Sequence, residues 1–277
     1  MSKNKVTEIA RKWYVKIGFP EKFDAMFNAL LEEENPESVP FEKYNASENS
    51  KGKTFIMYLY FCEQLAEKYK EAGISEKILM ATLSDFIINT EREYILSGEL
   101  GLVKPSVLKN HLSMRLFRIG RLQFCMDGAA RDISEKGIIK GENVIDVHIP
   151  AGGSLSMEEC KRDFAAAEEF FAKYFPEYDY RYYTCFSWML DKNLESFLNE
   201  NSNILKFQKF FEVVYEFEYD SALHFVFKYG IKDRSELETI EAETSFAKKL
   251  KQYALSGGKL YNNFGVRERE FIGTEIE

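Results

Sequence analysis

Apolar residues in the first part of the chain recur with the period of an α-helix. The segment VTEIARKWYVKIG places Val6, Ile9, Trp13 and Ile17 on one stripe, which predicts an amphipathic helix. The same period returns at residues 21–34, 54–73 and 75–98, and the turn-rich stretch at 35–53 predicts a loop between them. The pattern therefore predicts an all-helical N-terminal domain over residues 1–112.

Beyond residue 112 the pattern changes to strands that alternate with helices. The run NVIDVHIP predicts a strand in which Val147 faces away from Asp146 and His148. A helix is predicted to follow it, since Ser156 and Glu159 form the signature of a capping box. Further strands are predicted at 115–124, 178–190 and 259–266 and in two runs within 212–230, and further helices at 191–198, 201–211 and 235–258. This alternation predicts a mixed α/β sheet in a C-terminal domain over residues 113–277.

Composition and charge narrow the function classes. With 45% hydrophobic and 30% charged residues, the 277-residue chain has enough apolar side chains for a sizeable core. The net charge of -8 disfavours nucleic acid as a partner, because a phosphate backbone needs a basic surface. No segment has the length and apolar character of a signal-peptide core or a membrane span, so we expect a cytoplasmic protein that does not bind membranes.

The cysteines predict neither a metal site nor a disulfide framework. Cys62, Cys125, Cys160 and Cys185 lie far apart and form no Cys-x-x-Cys pair. Free thiols of this kind are typical of a reducing compartment. Cys185 is the one candidate nucleophile, and burial as a small hydrophobic residue is its favoured alternative.

Two glycines stand where the strand NVIDVHIP runs into the helix that begins near Ser156. Unpaired backbone N–H groups and the helix dipole make such a junction suitable for an anion, and glycine lets the backbone approach it closely. However, PAGGS is neither a Walker loop nor a Gly-x-Gly-x-x-Gly fingerprint, and Glu158 and Glu159 already place negative charge in the first helical turn. The spacing leaves two interpretations open, a phosphate-binding loop and a plain turn, and it favours the turn.

The order of short motifs along the chain resembles one protein family. The motifs are GRLQF, VIDVHIPAGGSLSMEEC, CFSWMLD, NSNILKFQ, ALHFVF and ALSGG. Their order is similar to that in the bacterial proteins described as acyltransferase domain-containing. These proteins pair a helical N-terminal domain with a C-terminal domain similar to the GNAT N-acetyltransferases. The resemblance covers essentially the whole chain and implies an all-helical domain followed by a GNAT-like mixed-sheet acyltransferase domain.

The resemblance also implies a position for the cofactor. NVIDVHIP would be the splayed central strand of the sheet. Backbone N–H groups of Ala151, Gly152, Gly153 and Ser154 would hold the pyrophosphate of acetyl-CoA or another acyl-CoA. The chain carries IPAGGSLS where active GNAT enzymes usually have the loop Gln/Arg-x-x-Gly-x-Gly/Ala.

Three side chains near this strand are candidates for the acyl transfer itself. His148 could take a proton from an acceptor amine, since the ordinary pKa of histidine lies near neutrality. The alternative, which we favour, is a histidine that hydrogen-bonds a neighbouring strand or loop. Trp188, expected on the next strand, could line the acyl or acceptor site or could belong to the core, and Ser187 could donate a hydrogen bond to substrate.

These observations support two hypotheses. In the first, the protein transfers an acyl group from acyl-CoA to an unknown small-molecule acceptor by direct attack in a ternary complex. In the second, it is a non-catalytic GNAT-like protein that binds a small molecule or a partner, since a fold does not dictate a function. The family resemblance favours the first hypothesis, and the missing glycine spacing favours the second.

Overall fold

The computed structural model describes residues 3–228, 230–231 and 233–269. Contacts divide the chain into two compact units, with the boundary between Arg118 and Ile119. We call the residues up to Arg118 the helical unit and those from Ile119 onwards the sheet unit. The outermost residues of the two predicted domains, 1–2 and 270–277, lie outside the described residues.

The helical unit is built around one helix that is buried on all sides over more than two turns. Its helices are α1 (Lys3–Ile17), α2 (Asp24–Glu33), α3 (Lys51–Glu71), α4 (Glu76–Leu83), α5 (Asp85–Ser97) and α6 (Pro105–Leu112). The central helix, α3, buries every side chain from Thr54 to Cys62, as expected of a helix surrounded by other elements. α1 packs along it, and Trp13 Nε1 donates a hydrogen bond to Glu63 Oε2 over 2.6 Å. The predicted helical character of this region is confirmed.

One predicted helix of this unit is two helices in the structure. The pattern at residues 75–98 predicts a single helix, but α4 and α5 meet at Ser84. The Ser84 hydroxyl donates a hydrogen bond back to the carbonyl oxygen of Ala81 over 2.7 Å. Such a side-chain bond competes with the backbone ladder, which explains why the helix is interrupted at this serine.

Six strands form one mixed sheet in the order β1-β2-β3-β4-β6-β5. The strands are β1 (Leu116–Ile119), β2 (Leu122–Gly128), β3 (Asn143–His148), β4 (Tyr182–Ser187), β5 (Glu212–Glu218) and β6 (Tyr261–Glu268). The helices of this region are α7 (Met157–Tyr174), α8 (Asn203–Gln208), α9 (Ser221–Val226) and α10 (Ser245–Leu255). β3 runs parallel to β4, whereas the pairs β2–β3, β4–β6 and β5–β6 are antiparallel. The predicted fold class, a helical region followed by a mixed α/β sheet, is confirmed.

Three predicted elements of the sheet unit were wrong in kind or extent. The second strand expected within residues 212–230 is the helix α9, because a short apolar run does not distinguish the two periods. The helix expected at 235–258 is a 3-10 turn, Arg234–Glu238, followed by α10. The strand expected at 115–124 is two strands, β1 and β2, since Gly120 turns the chain with a φ of +70°.

The two faces of the sheet differ in chemistry. On one face α7 contributes Phe164, whose ring centroid lies 5.5 Å from Phe124 and 5.1 Å from Tyr183. The strand register places His148 and Asp146 on the opposite face, because residues alternate along β3. The aromatic face is thus part of the core, and the polar side chains of β3 share the other face.

The turn between β1 and β2 is anchored to α7 by one carboxylate. Asp163 Oδ2 accepts hydrogen bonds from the backbone N–H groups of Arg121, over 2.6 Å, and Leu122, over 3.0 Å. Burial raises the pKa of the Asp163 carboxyl, and the two N–H donors act against that rise. A Cβ atom built on Gly120 would lie 1.9 Å from Asp163 Oδ1. The turn therefore needs glycine both for its left-handed backbone and for its closeness to α7.

We expect Gly120→Ala to lower the free energy of unfolding by roughly 2–5 kcal/mol. The left-handed backbone costs an L-residue about 1–2 kcal/mol, and overpacking against Asp163 adds about 1–3 kcal/mol. Gly137→Ala is the matched control, since Gly137 has a φ of +65° with nothing within 4 Å of its built Cβ. The free energy of unfolding of the control should fall by only about 1–2 kcal/mol. Urea unfolding followed by circular dichroism measures both, and equal losses would contradict the anchoring role of Asp163.

Candidate functional site

The sheet opens between its two parallel strands. The pairing of β3 with β4 ends at Asp146–Thr184. β3 nevertheless continues to pair with β2 as far as Gln123–His148, and β4 continues to pair with β6 as far as Ser187–Asn263. The ends of β3 and β4 therefore diverge, as the sequence comparison implied for the splayed central strand. The carboxyl ends of parallel strands are a common location for ligand sites in α/β sheets.

Asp146, the last residue of β3 that pairs with β4, joins two polar side chains. Its Oδ1 accepts a hydrogen bond from Thr184 Oγ1 over 2.8 Å. Its Oδ2 lies 3.1 Å from His148 Nε2. Because His148 and Asp146 are two residues apart on one strand, the alternation predicted from the sequence brings them to the same face. The histidine thus contacts a carboxylate on its own strand.

The carboxylate determines the charge of the imidazole. Burial alone would lower the pKa of His148, but the hydrogen bond and negative charge of Asp146, together with the contact with Cys125, raise it to about 10. The imidazole is therefore protonated at neutral pH, while its side chain remains 36% exposed. An imidazolium donates a proton or a hydrogen bond, and it accepts a proton from an amine only after it has lost its own. This charge state favours an acid over the base that the sequence suggested.

The glycine loop lies at the same edge of the sheet, between β3 and α7. Ala151, Gly152, Gly153 and Ser154 are exposed, and both glycines have left-handed backbones with φ values of +80° and +74°. Among the described residues, no group accepts a hydrogen bond from the backbone N–H groups of these four positions. Arg121 donates from Nε to the carbonyl oxygen of Ser154 over 2.9 Å. The loop thus presents exposed backbone donors beside a guanidinium group.

The helix that follows the loop is already capped by its own chain. Ser156 Oγ accepts from the backbone N–H of Glu159 over 3.2 Å, and Glu159 Oε2 accepts from the N–H of Ser156 over 3.4 Å. The predicted capping box is therefore confirmed. Glu158 and Glu159 place two carboxylates in the first turn. These charges complement the helix dipole themselves, so any anion at the loop depends on the loop donors and on Arg121.

Ser187 and Trp188 have surroundings that differ from the prediction. Trp188 does not lie on a strand, because β4 ends at Ser187 and a 3-10 turn begins. The indole is 8% exposed and stacks on Phe246 with a centroid distance of 5.9 Å, which is the core alternative. Ser187 Oγ accepts from the backbone N–H of Met189 over 3.1 Å and so caps that turn.

The cysteines are buried thiols with no bond between them. Cys62, Cys125, Cys160 and Cys185 are all free and buried. Burial, and then the charge of Asp146, raises the pKa of the Cys185 thiol, which keeps it neutral.

Within the described ranges, no group of three or more His, Cys, Asp or Glu side chains is arranged to hold a metal ion. In the same ranges, no helix is long and apolar enough to cross a bilayer.

Three residues near the site were not identified from the sequence. Thr184 and Gln123 are brought beside β3 by the strand register, with Gln123 directly opposite His148. Asp163 fixes the turn that carries Arg121. These three depend on contacts distant in sequence, whereas the shared face of Asp146 and His148 follows from their two-residue spacing. Asn203, at the start of α8, donates from Nδ2 to Ser154 Oγ over 3.5 Å.

Two family models match the chain. A model described as GNAT-like C-terminal domain matches residues 116–267, which is more than half of the sequence. A second model, described as N-acyltransferase N-terminal domain, matches residues 10–114. No curated protein matches the chain.

Solved structures of acyltransferases share the fold. One, in complex with decanoyl-CoA and teicoplanin, has a TM-score of 0.72 and 21% identity over 94% of this chain and 88% of that chain. An acyltransferase mutant in complex with octanoyl-CoA has the same TM-score, the same identity and the same coverage of both chains. A third, in complex with decanoyl-CoA, has a TM-score of 0.72 and 22% identity over 94% of this chain and 87% of that chain. A likeness at this level of identity concerns the fold alone.

We expect Asp146→Asn to lower the pKa of His148 by about 1–3 pH units, because the substitution removes the carboxylate that favours the imidazolium. NMR titration of labelled histidine side chains measures this directly, since the chain has only 3 histidines. His111, which contacts Asp85, and His224, which contacts the carbonyl oxygen of Ile231, serve as internal controls.

The same pair should affect stability in a defined pH window. The pKa of His148 is raised in the folded protein to about 10. Its contribution to stability is therefore full below the unfolded pKa of about 6.5 and is lost as the pH rises through the folded value. The difference in the free energy of unfolding between wild type and Asp146→Asn should therefore shrink as the pH rises from about 6.5 to about 10. A wild-type His148 that titrates near its ordinary pKa would contradict the pairing.

Proposed function

The chain belongs to the family of proteins with a GNAT-like C-terminal domain, and we propose that it is an acyl-CoA-dependent N-acyltransferase. It transfers an acyl group directly from CoA to an amine of a small-molecule acceptor in a ternary complex. The observation that carries the proposal is the divergence of β3 and β4 beside the glycine loop. Unpaired strand edges, exposed backbone donors and a protonated histidine all lie at one edge of the sheet.

The loop residues suit the pyrophosphate of the CoA moiety. Backbone N–H groups of Ala151, Gly152, Gly153 and Ser154 are exposed and would donate to phosphate oxygens. Arg121, which already contacts the carbonyl oxygen of Ser154, would add positive charge. The amide groups of the CoA arm would pair with the free backbone edges where β3 and β4 diverge, since a buried backbone group needs a partner.

The solved acyltransferases support a choice of acyl donor for the first assays. Their complexes contain decanoyl-CoA, octanoyl-CoA and teicoplanin. We therefore propose medium-chain acyl-CoA thioesters beside acetyl-CoA as donors for this chain. The acceptor is proposed only as an amine, because the family description of the N-terminal region refers to N-acylation.

His148 is proposed to transfer a proton to the departing thiol. The neutral amine attacks the thioester carbonyl carbon, and the carbon–sulfur bond breaks as the tetrahedral intermediate collapses. The imidazolium held by Asp146 gives its proton to the CoA thiolate. The proton lost by the acceptor nitrogen then restores the imidazolium, so that the cycle is balanced. We assign Ser187 and Trp188 no contact with the substrate. They mark the place where β4 ends.

A non-catalytic binding protein is the second candidate function. It is favoured by the two carboxylates in the first turn of α7, which disfavour a second anion there. Such a protein would keep the opening between β3 and β4 for a small molecule or a partner. It would release no CoA in the presence of any amine, and this outcome separates it from the enzyme.

We expect wild-type protein to bind octanoyl-CoA and Gly153→Asp to bind it at least about tenfold more weakly. The new carboxylate would repel the pyrophosphate and pair with Arg121, whose Nε lies 3.3 Å from a Cβ built on Gly153. A tenfold change corresponds to about 1.4 kcal/mol. Calorimetric titration measures the affinity, and thiol release in the presence of amines measures turnover.

Two controls separate charge from backbone strain. Gly153→Ala imposes the same strain at a φ of +74° without the charge, so its affinity should change by much less. An octanoyl-pantetheine thioester lacks the pyrophosphate, and its affinity should be equal in wild type and Gly153→Asp. Absence of binding by any acyl-CoA to the folded wild type would overturn the proposed function.

A further inference from the structure

One buried donor on the polar face of the sheet has no partner. Gln123 is 2% exposed, and no group among the described residues accepts a hydrogen bond from its Nε2. Most buried polar side-chain atoms in proteins are hydrogen-bonded, because an unpaired donor has lost its bonds to water. An unpaired amide at this depth is available to an acceptor that arrives from outside the chain.

The amide lies at the open end of the site. Gln123 is the direct cross-strand partner of His148, so the two side chains share one face and are close neighbours. This is the last pair of the β2–β3 ladder, beyond the point where β3 and β4 separate. His148 is partly exposed, so this end of the face is open to small molecules.

Both oxygens of the Asp146 carboxylate already have partners. Asp146 Oδ1 accepts from Thr184, and Asp146 Oδ2 is paired with His148. The amide of Gln123 is therefore left unpaired across the ladder from an imidazolium whose own pairing uses that carboxylate. An unpaired donor close to a positive charge suits an oxygen atom that carries, or gains, negative charge.

We infer that Gln123 donates a hydrogen bond from Nε2 to the carbonyl oxygen of the thioester and holds that oxygen as it becomes an oxyanion. The inference rests on the proposed acyl-CoA-dependent function and adds to it a residue that touches the reacting group. The oxygen gains charge as the acceptor nitrogen bonds to the carbonyl carbon and loses it as the thiolate departs. Gln123 neither gains nor loses a proton in this step.

Gln123→Met tests the inference, because methionine has a similar length and no donor. The probes are octanoyl-CoA and octyl-CoA, a thioether that lacks the carbonyl oxygen. We expect the variant to bind octanoyl-CoA roughly three- to tenfold more weakly, the loss of one hydrogen bond, and to bind octyl-CoA as the wild type does. Thermal unfolding of the free variant verifies that it is folded.

Isotope-edited infrared spectroscopy gives a second, independent readout. Octanoyl-CoA labelled with 13C at the carbonyl should show its stretching band at lower frequency when bound to wild type than when free, because donors polarise the bond. In Gln123→Met the band should move back towards the free position. A residue with only a structural role would weaken both ligands alike and leave the band unchanged.

The outcomes distinguish this inference from the proposed function. Equal affinity losses for the two probes, or an unchanged band in the variant, would overturn the role of Gln123 and leave the enzyme proposal intact. A wild-type band at the free position would overturn it even if the variant failed to fold. Absence of binding of octanoyl-CoA to wild type would overturn the proposed function and this inference together.

Discussion

Beyond the pair Asp146–Thr184, β3 and β4 keep their hydrogen bonds to β2 and β6 but no longer pair with each other. This divergence is maintained from both sides. β3 is held by its ladder with β2, and the end of β4 continues into a turn whose Trp188 is fixed in the core against Phe246. Trp188 therefore contributes to the site through the path of the chain, since its side chain packs in the core. Two strands that each keep one outer partner and leave one edge unpaired expose backbone groups to a ligand from a rigid frame.

The divergence also explains why the polar cluster can retain its charge. Asp146 has a bond to each carboxylate oxygen, one from Thr184 and one from His148. Burial of this carboxylate costs less free energy because each of its oxygens has a polar partner. The opposite face carries the rings of Phe124, Phe164 and Tyr183 and needs no such compensation. Because side chains alternate along β3, the apolar core and the charged side chains lie on opposite faces of the same sheet.

The sequence was sufficient for elements whose signals are local. Helical periods, the capping box at Ser156 and the strand NVIDVHIP were predictable because each depends on residues a few positions apart. The helix at Ser221–Val226 was misread as a strand because a six-residue apolar run suits both periods. The partners of the site were harder, since Gln123 and Thr184 reach His148 and Asp146 only through strand register. Register between distant segments is set by the packing of the whole sheet, and one sequence does not specify it.

Electrostatics at the loop constrain how a CoA thioester could be selected. The two carboxylates in the first turn of α7 would oppose the phosphates of a bound CoA, which the loop donors and Arg121 would attract. In the proposed complex, further affinity would come from the other end of the ligand, where strand edges, His148 and Gln123 would meet the thioester. CoA shares the pyrophosphate with acyl-CoA but lacks the acyl group and its carbonyl oxygen. A site balanced in this way would hold the acyl donor more tightly than the CoA product, which favours release of product after transfer.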